Sequence, residues 1–567
     1  MLSNIINKYI YLIIFILVAI FNYKILLNPM WYTFNFADNF WYAKLIELMK
    51  LSFQIWTPFY IPEWSVFVWE DYKVLMITPL WQTLGVIVSY IMPTILYINL
   101  VIVWSLYLNI LFSYKLFEYI NKSNPLLSLV WAVIFWASSL VLYAVWFNLM
   151  WLFFIPLIVL CFLKYIKTNK IRYLFGLILS FILLGLSSTY FLPLIWIILL
   201  PFFLKYIKKH FLKVITSALL LIVSFVGIFF VYKIPFTYLE SYNKWIEVES
   251  LLEERAIKSS SLDLLELFTP NNNNLFTKFQ LRSIKDLSTS DNRYFRYSNY
   301  LPIPILLLIC LLVFWNKKIP WIWYKYNEYK KISLFIIFFS TLLFMWDRFV
   351  IGWYDLGINN LLHYLKWLPN WEVIRKSAYF FFALTFGLSL LIISWFDQKY
   401  TSDNQIILLV FLLVIIVWNI WPYYWKVFAI HNINADVREI ENNSVILPLP
   451  NSGYNNWEFQ YNLMRHEKDF KIVEFWNATL PNFKRSIKNG SKTINKIAYN
   501  KRIEEKWYCD FWIDIDYILL YKKYIENFFF YSHESKIFKT AESNINKCEN
   551  IELHKDASNT IIYKILY

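Results

Sequence analysis

From the N-terminus to about residue 425, the chain repeatedly runs for about 18–22 residues with few or no charges. Such a run must satisfy its backbone N–H and C=O groups internally if it lies in hydrocarbon, which leaves helices or a closed barrel. Barrel strands would alternate apolar and polar residues over about ten positions, whereas these runs are continuous. The sequence therefore predicts a polytopic α-helical membrane bundle. Its spans fall near 9–27, 94–117, 126–145, 148–166, 171–188, 189–207, 212–232, 300–315, 332–350, 377–396 and 405–425, about eleven in all. Composition agrees: 59% of the 567 residues are hydrophobic and 16% charged, against roughly a quarter charged in a soluble domain. The first run, "YIYLIIFILVAIFNYKILL", has no small-residue cleavage site after it, so a retained span is expected.

The formal net charge is +15, but its distribution argues for topology and not for nucleic acid. Lys115 and Lys122, then Lys164, Lys167, Lys170 and Arg172, then Lys205, Lys208, Lys209 and Lys213 mark every second connection. Lys317, Lys318, Lys325, Lys330 and Lys331 continue the series, while the short connections near 146 and 188 carry no cation. The positive-inside rule then puts the N-terminus in the cytoplasm, and an odd number of spans puts the C-terminus outside. On that topology the long polar segments, 28–93, 233–299, 351–376 and the tail from 426, all face the extracytoplasmic side. The expected organisation is a transmembrane domain over 1–425, including the outer loops 28–93 and 233–299, and an extracytoplasmic α/β domain over 426–567. In the tail, "SVILPLP" (444–450), "FKIVEFW" (470–476), "DYILLYKKY" (516–524) and "NTIIYKIL" (559–566) read as strands. Cys509 and Cys548 lie in this tail and could pair in an oxidising space; no metal-ligand spacing of Cys and His is present. No internal repeat is obvious, which argues against inverted-repeat transporters.

The first outer segment contains two amphipathic stretches. Over 39–53, Trp41, Leu45, Leu48 and Ser52 line one face and Lys44, Glu47 and Lys50 another, and a second helix over 79–91 opens on Pro79. Both are expected to lie in the membrane interface, with the loop 57–72 between them ending in Glu70 and Asp71. Asp38 stands just before the first of these helices. It reads either as its N-cap or as a carboxylate held at membrane-surface depth for chemistry. Glu70 and Asp71 read as a solvated loop pair. Arg375 and Lys376, in "VIRKSAYF", flank the outer end of a span, where cations commonly snorkel. The adjacent pair Asp347 and Arg348 must face protein or water at its depth.

A first span, an outer loop that starts with an aspartate and holds two interfacial helices, and then a helical bundle resemble the GT-C glycosyltransferase superfamily. In more detail the chain resembles the YfhO type of GT-C-like membrane protein. "FNLMWLFFIPLIVL" (147–160), with Pro156 and Leu157, "YSNYLPIPILLLI" (297–309), "LLHYLKWLPNWEVIRKSAYFFFAL" (361–384) and the tail strands carry the likeness. The resemblance implies an enzyme that moves a sugar from a polyprenyl-phosphate donor to a surface glycan, lipid or protein. Asp38 would be the catalytic carboxylate and Arg375 with Lys376 the donor-phosphate contact. Glu70 or Asp71 would be the second acid, and Asp347, Arg348 and Asn148 would line the cavity. No cofactor is fixed by the residues, although a divalent metal is compatible with the family. Two departures bear on that point. The short loop "AVWFNLMW" offers Asn148 where many relatives carry an acid, and "LLGLSSTYF" offers Ser187, Ser188 and Thr189 where relatives often carry a histidine. A catalytically silent, lipid-binding scaffold is the alternative. A transporter or flippase ranks third, because most spans lack ionisable residues at mid-depth.

Overall fold

The computed structural model describes residues 2–30, 32–33, 36–56, 60–61, 72–73, 78–120, 125–136, 151–188, 191–233, 327–344, 348–351, 354–359, 380–395, 428–429, 436–449, 461, 463, 470–472, 515–521, 542–543, 545–557 and 560–566. Helix formation follows the apolar runs closely. The described helices are α1 (Leu2–Phe21), α2 (Tyr23–Leu27), α3 (Phe36–Gln54), α4 (Pro79–Ser89), α5 (Thr94–Ile120) and α6 (Pro125–Trp136). They continue with α7 (Phe154–Thr168), α8 (Ile171–Ser187), α9 (Leu192–Ile207), α10 (Phe211–Lys233), α11 (Asn327–Phe344) and α12 (Phe380–Trp395). Three helical stretches, Thr94–Ile120, Trp151–Thr168 and Phe211–Ile228, are long and apolar enough to cross a membrane, and shorter apolar helices accompany them. The expected spans at 300–315 and 405–425 lie outside the described residues, as do residues 137–145 of the expected span 126–145 and residues 148–150 of the expected span 148–166.

One boundary differs. The span expected over 332–350 ends at Phe344 and gives way to a hairpin of β4 (Arg348–Ile351) and β5 (Tyr354–Asn359). Arg348, Phe349, Val350 and Ile351 carry β-branched and aromatic residues that suit a strand once the apolar run has been broken by Asp347.

The bundle has two chemically distinct ends. At one, the turns between α7 and α8 and between α9 and α10 meet: Lys213 Nζ donates to Ile166 O at 3.1 Å. The ammonium of Lys167 stands 4.9 Å from the Tyr119 ring centroid of α5, and that of Lys205 stands 4.8 Å from the Tyr329 ring of α11. The basic clusters of alternate connections thus gather at one end. At the other, Phe191 at the head of α9 meets Phe382 of α12, with ring centroids 6.0 Å apart. Trp81 of α4 stacks on Trp151, just before α7, at 4.0 Å.

The tail forms a five-stranded sheet in the order β10-β11-β9-β7-β8. Its strands are β7 (Val445–Leu449), β8 (Lys471–Ile472), β9 (Tyr517–Tyr521), β10 (Ile551–Asp556) and β11 (Thr560–Ile565). β7 runs parallel to β8 and β9, while β11 is antiparallel to both its neighbours. Four of the strands coincide with the four expected ones. β10 was not expected, because "IELHKD" alternates charge with apolar residues at a sheet edge, with only Ile551 buried. Polar contacts brace the sheet: Val445 N donates to Asp516 Oδ2 at 2.7 Å, and Thr560 Oγ1 to buried Asp436 at 3.2 Å. An exposed ion pair, Lys555 to Glu439 at 2.7 Å, ties β10 to the turn before β7 and holds the Glu439 carboxyl below its ordinary range. Cys548 is disulfide-bonded. Cys161 is free, and Cys509, the expected partner of Cys548, lies outside the described residues.

Candidate functional site at the head of helix 3

Asp38 does not precede its helix. α3 begins at Phe36, two positions before Asp38, so the aspartate lies in the first turn. A carboxylate there is favoured by the helix dipole without acting as the N-cap. The cap expectation is therefore corrected, and the position near four unsatisfied backbone N–H groups is retained.

Three separate parts of the chain converge on this turn. Just upstream, β1 (Tyr32–Thr33) pairs antiparallel with β6 (Phe428–Ala429), joining the first connection to the start of the tail. Just downstream, the ring of Phe40 packs on Tyr461 with centroids 5.6 Å apart. Tyr461 belongs to the crossover from β7 to β8 and is buried, as is Leu463 beside it. Its hydroxyl accepts from Ile95 N, 3.4 Å away, and so satisfies one of the free donors in the first turn of α5. From the same helix, Asn99 Nδ2 donates to Pro29 O at 2.8 Å and pins the chain between α2 and β1. The tail sheet is thus built onto the membrane bundle at the end opposite the basic turns, and the helix carrying Asp38 is the common support.

The structure corrects the interfacial reading of α3. Phe40, Tyr42, Ala43, Leu45, Ile46, Leu48 and Met49 are buried, and so are Lys44 and Ser52. Lys44, expected on a solvated face, is fully buried, and it is engaged in an interaction. Glu47 reaches the head of α5, where Thr94 Oγ1 donates to its carboxylate. Lys50 Nζ donates to Ser89 O at 3.4 Å and stands 4.6 Å from the Tyr90 ring. Glu47 and Lys50, both from the expected outer face, fasten α3 to α5 and to the end of α4.

α4 keeps one face inward and one outward. Pro79 starts it, and Gln82, Gly85 and Val86 face inward, while Ile87, Tyr90 and Ile91 at and beyond its C-terminus are exposed. A Cβ on Gly85 would come within 2.7 Å of Ile46 Cδ1 and 3.0 Å of Tyr97 Cε1, so glycine permits the close approach of α4 to α3 and α5. Trp81 anchors the buried face: its Nε1 donates to Ser187 Oγ at 2.7 Å, and its carbonyl accepts from Tyr97 OH at 2.8 Å. Ser188 Oγ and Thr78 Oγ1 are buried with no hydrogen-bond partner among the described residues. Trp81 was not singled out by sequence reasoning. The available signal was the Ser187–Ser188 pair at the end of α8, noted only as a departure from the family pattern.

Asp38 is placed by its backbone alone, and the remaining expected site residues do not have described side chains either. Arg348 lies in β4 by its backbone, and Glu70, Asp71, Asn148, Asp347, Arg375 and Lys376 lie outside the described residues. Among the described residues, no group of three His, Cys, Asp or Glu could hold a metal ion. The carboxylates named for a divalent metal have no described side chains, and no step is derived through one.

No protein-family model matches the chain. No curated protein matches it. Among solved structures it is similar to the apo oligosaccharyltransferase of Archaeoglobus fulgidus, at 12% identity and a TM-score of 0.48, over 91% of this chain and 71% of that one. It is also similar to the arabinofuranosyltransferase AftD from Mycobacteria, at 9% identity and a TM-score of 0.40, over 93% of this chain and 41% of that one. A third is ArnT from Cupriavidus metallidurans bound to undecaprenyl phosphate, at 8% identity and 0.39, over 98% and 96%. These structure neighbours are GT-C glycosyltransferases. With every TM-score below 0.5, the likeness says nothing about which residues of this chain react.

Proposed function

We propose that the chain is an integral-membrane glycosyltransferase that moves a sugar from a polyprenyl-phosphate donor to a glycan, lipid or protein acceptor on the outer face. The observation that carries this reading is the convergence at the head of α3 of the first connection, through β1–β6, with Tyr461 of the tail. A transferase of this kind needs a carboxylate where a lipid phosphate and a water-borne acceptor can both arrive. The first turn of α3 lies at the junction between an apolar bundle and a polar sheet.

In this reading Asp38 accepts the proton of the acceptor hydroxyl, and Arg375, with Lys376, holds the phosphate that leaves with the polyprenyl chain. Glu70 or Asp71 supplies the second acid, and Asn148, Asp347 and Arg348 line the donor cavity. The bundle of about eleven spans has its basic turns in the cytoplasm and its tail, 426–567, outside. The Cys548 disulfide supports that side for the tail, since disulfides persist in oxidising compartments.

Asp38→Asn tests the catalytic role, because it removes the base while keeping shape. We expect sugar incorporation into surface glycan to be lost, with membrane insertion and yield unchanged. Incorporation at the normal rate would refute the role of Asp38. A role confined to the helix dipole predicts intact transfer and a stability loss of roughly 0.3–1 kcal/mol.

A further inference from the structure

We propose that the paired turns at the basic end form a binding surface for the phosphodiester headgroup of an anionic phospholipid. The turn from α7 to α8 carries Lys167, Lys170 and Arg172, and the turn from α9 to α10 carries Lys208, Lys209 and Lys213. They lie side by side, because Lys213 reaches across to the carbonyl of Ile166 at 3.1 Å.

Carboxylates are sparse along the sequence that builds this end. Between residues 119 and 239 the sequence contains no aspartate or glutamate. The acid just before that stretch, Glu118, already accepts from Lys115 Nζ and Tyr114 OH, each at 3.1 Å. Glu328, at the start of α11, has Lys330 and Lys331 beside it in sequence. Some of the cations are occupied: Lys167 lies over Tyr119, and Arg172 donates to Tyr173 OH at 3.1 Å. Lys170, Lys208 and Lys209 are exposed and have no acidic partner among the described residues.

The apolar side chains among these cations select the class of anion. Ile171 is 77% exposed and Leu212 76% exposed, and each sits within three positions of a free lysine. A soluble polyanion would leave these residues in water. A lipid covers them with its acyl chains while its phosphate meets the ammonium groups. The positive-inside rule explains why cations stand at this end, but it does not require exposed aliphatic residues between them or the lack of an acidic partner for Lys170, Lys208 and Lys209 among the described residues.

The inference rests on the membrane-spanning reading of the bundle and not on the transfer chemistry, so the two can fail separately. The full chain would be reconstituted in phosphatidylcholine nanodiscs containing spin-labelled phosphatidylglycerol or spin-labelled phosphatidylcholine, and the immobilised fraction of each label measured. We expect phosphatidylglycerol to be preferred about fivefold, with the preference falling toward one in 0.5 M salt. The Lys170→Gln/Lys208→Gln/Lys209→Gln variant should lose it, and the matching Lys→Arg variant should keep it. Equal immobilisation of both labels by the native protein would overturn the proposal. So would a preference unchanged by salt, or one abolished by millimolar glycerol phosphate. If the glutamine variant fails to insert, the salt dependence of the native protein decides.

Discussion

α3 and α4 come from the same segment, carry similar apolar spacing in sequence, and end in different environments. α3 is enclosed by protein over most of its described length, and Lys44, Glu47 and Lys50 are all used in contacts. α4 keeps one face against α3 and α5 and turns Ile87, Tyr90 and Ile91 outward. The difference arises from what lies above each helix. The tail reaches α3 through β6 and Tyr461, whereas no such cover lies over the outward row of α4 among the described residues. Amphipathic spacing therefore identified two helices of which only one has a free apolar face.

The largest test of this contrast is Lys44→Met. On a solvated face, the substitution would move stability by no more than about 0.5 kcal/mol. In the enclosed setting it removes the interaction that the buried Lys44 makes, which should cost roughly 1.5–3 kcal/mol. Thermal unfolding of the detergent-solubilised protein measures the change, and an unaltered midpoint would return α3 to the interface. A second test fixes the cover itself. Thr33 and Phe428 are directly opposed in the β1–β6 pair. Opposed residues of an antiparallel pair lie about 4.5–5.5 Å apart, within reach of a disulfide. Thr33→Cys with Phe428→Cys should cross-link within one chain under mild oxidation, and the absence of cross-linking would remove the tail from the head of α3.

The sequence made the bundle legible because hydrocarbon permits few solutions: a long apolar run has to be a helix, and basic turns must alternate. That is why the gathering of Lys167, Lys205 and Lys213 at one end follows from spacing alone. Four tail strands were legible for a similar reason, as β-branched runs between polar stretches. What pattern could not supply was cover. The burial of Lys44 depends on neighbours from other parts of the chain. Tyr461, in a polar stretch roughly 420 residues downstream of Asp38, carried no local signal that it would cap α5. The first-turn position of Asp38 was missed by two residues, because Phe36 and Ala37 are not residues that announce a helix start.

Smaller effects refine the buried face of α4. Ser187→Ala removes the acceptor of Trp81 Nε1 and leaves the stack on Trp151 in place, so we expect a loss of about 1 kcal/mol. Trp81→Phe should cost more, because it removes the same bond and part of the stacked area. If the two variants melt alike, the hydrogen bond, and not the stack, holds α4 to α8.

The smallest expected change is on the outward row. Ile87 is 59% exposed, so Ile87→Ser removes little protein contact and should shift the melting point in micelles by less than about 0.5 kcal/mol equivalent. Leu45→Ser on α3, at a fully buried site, should cost several times as much, through a lost transfer term and the cavity left behind. The pair is informative because the two positions occupy neighbouring helices. Similar losses at both would mean that α4 is covered by chain outside the described residues, and its outward row would then be a protein contact. A loss at Leu45 alone leaves Ile87 free to meet lipid, and the same Ile87→Ser substitution should then lower stability in bilayer nanodiscs while remaining silent in micelles.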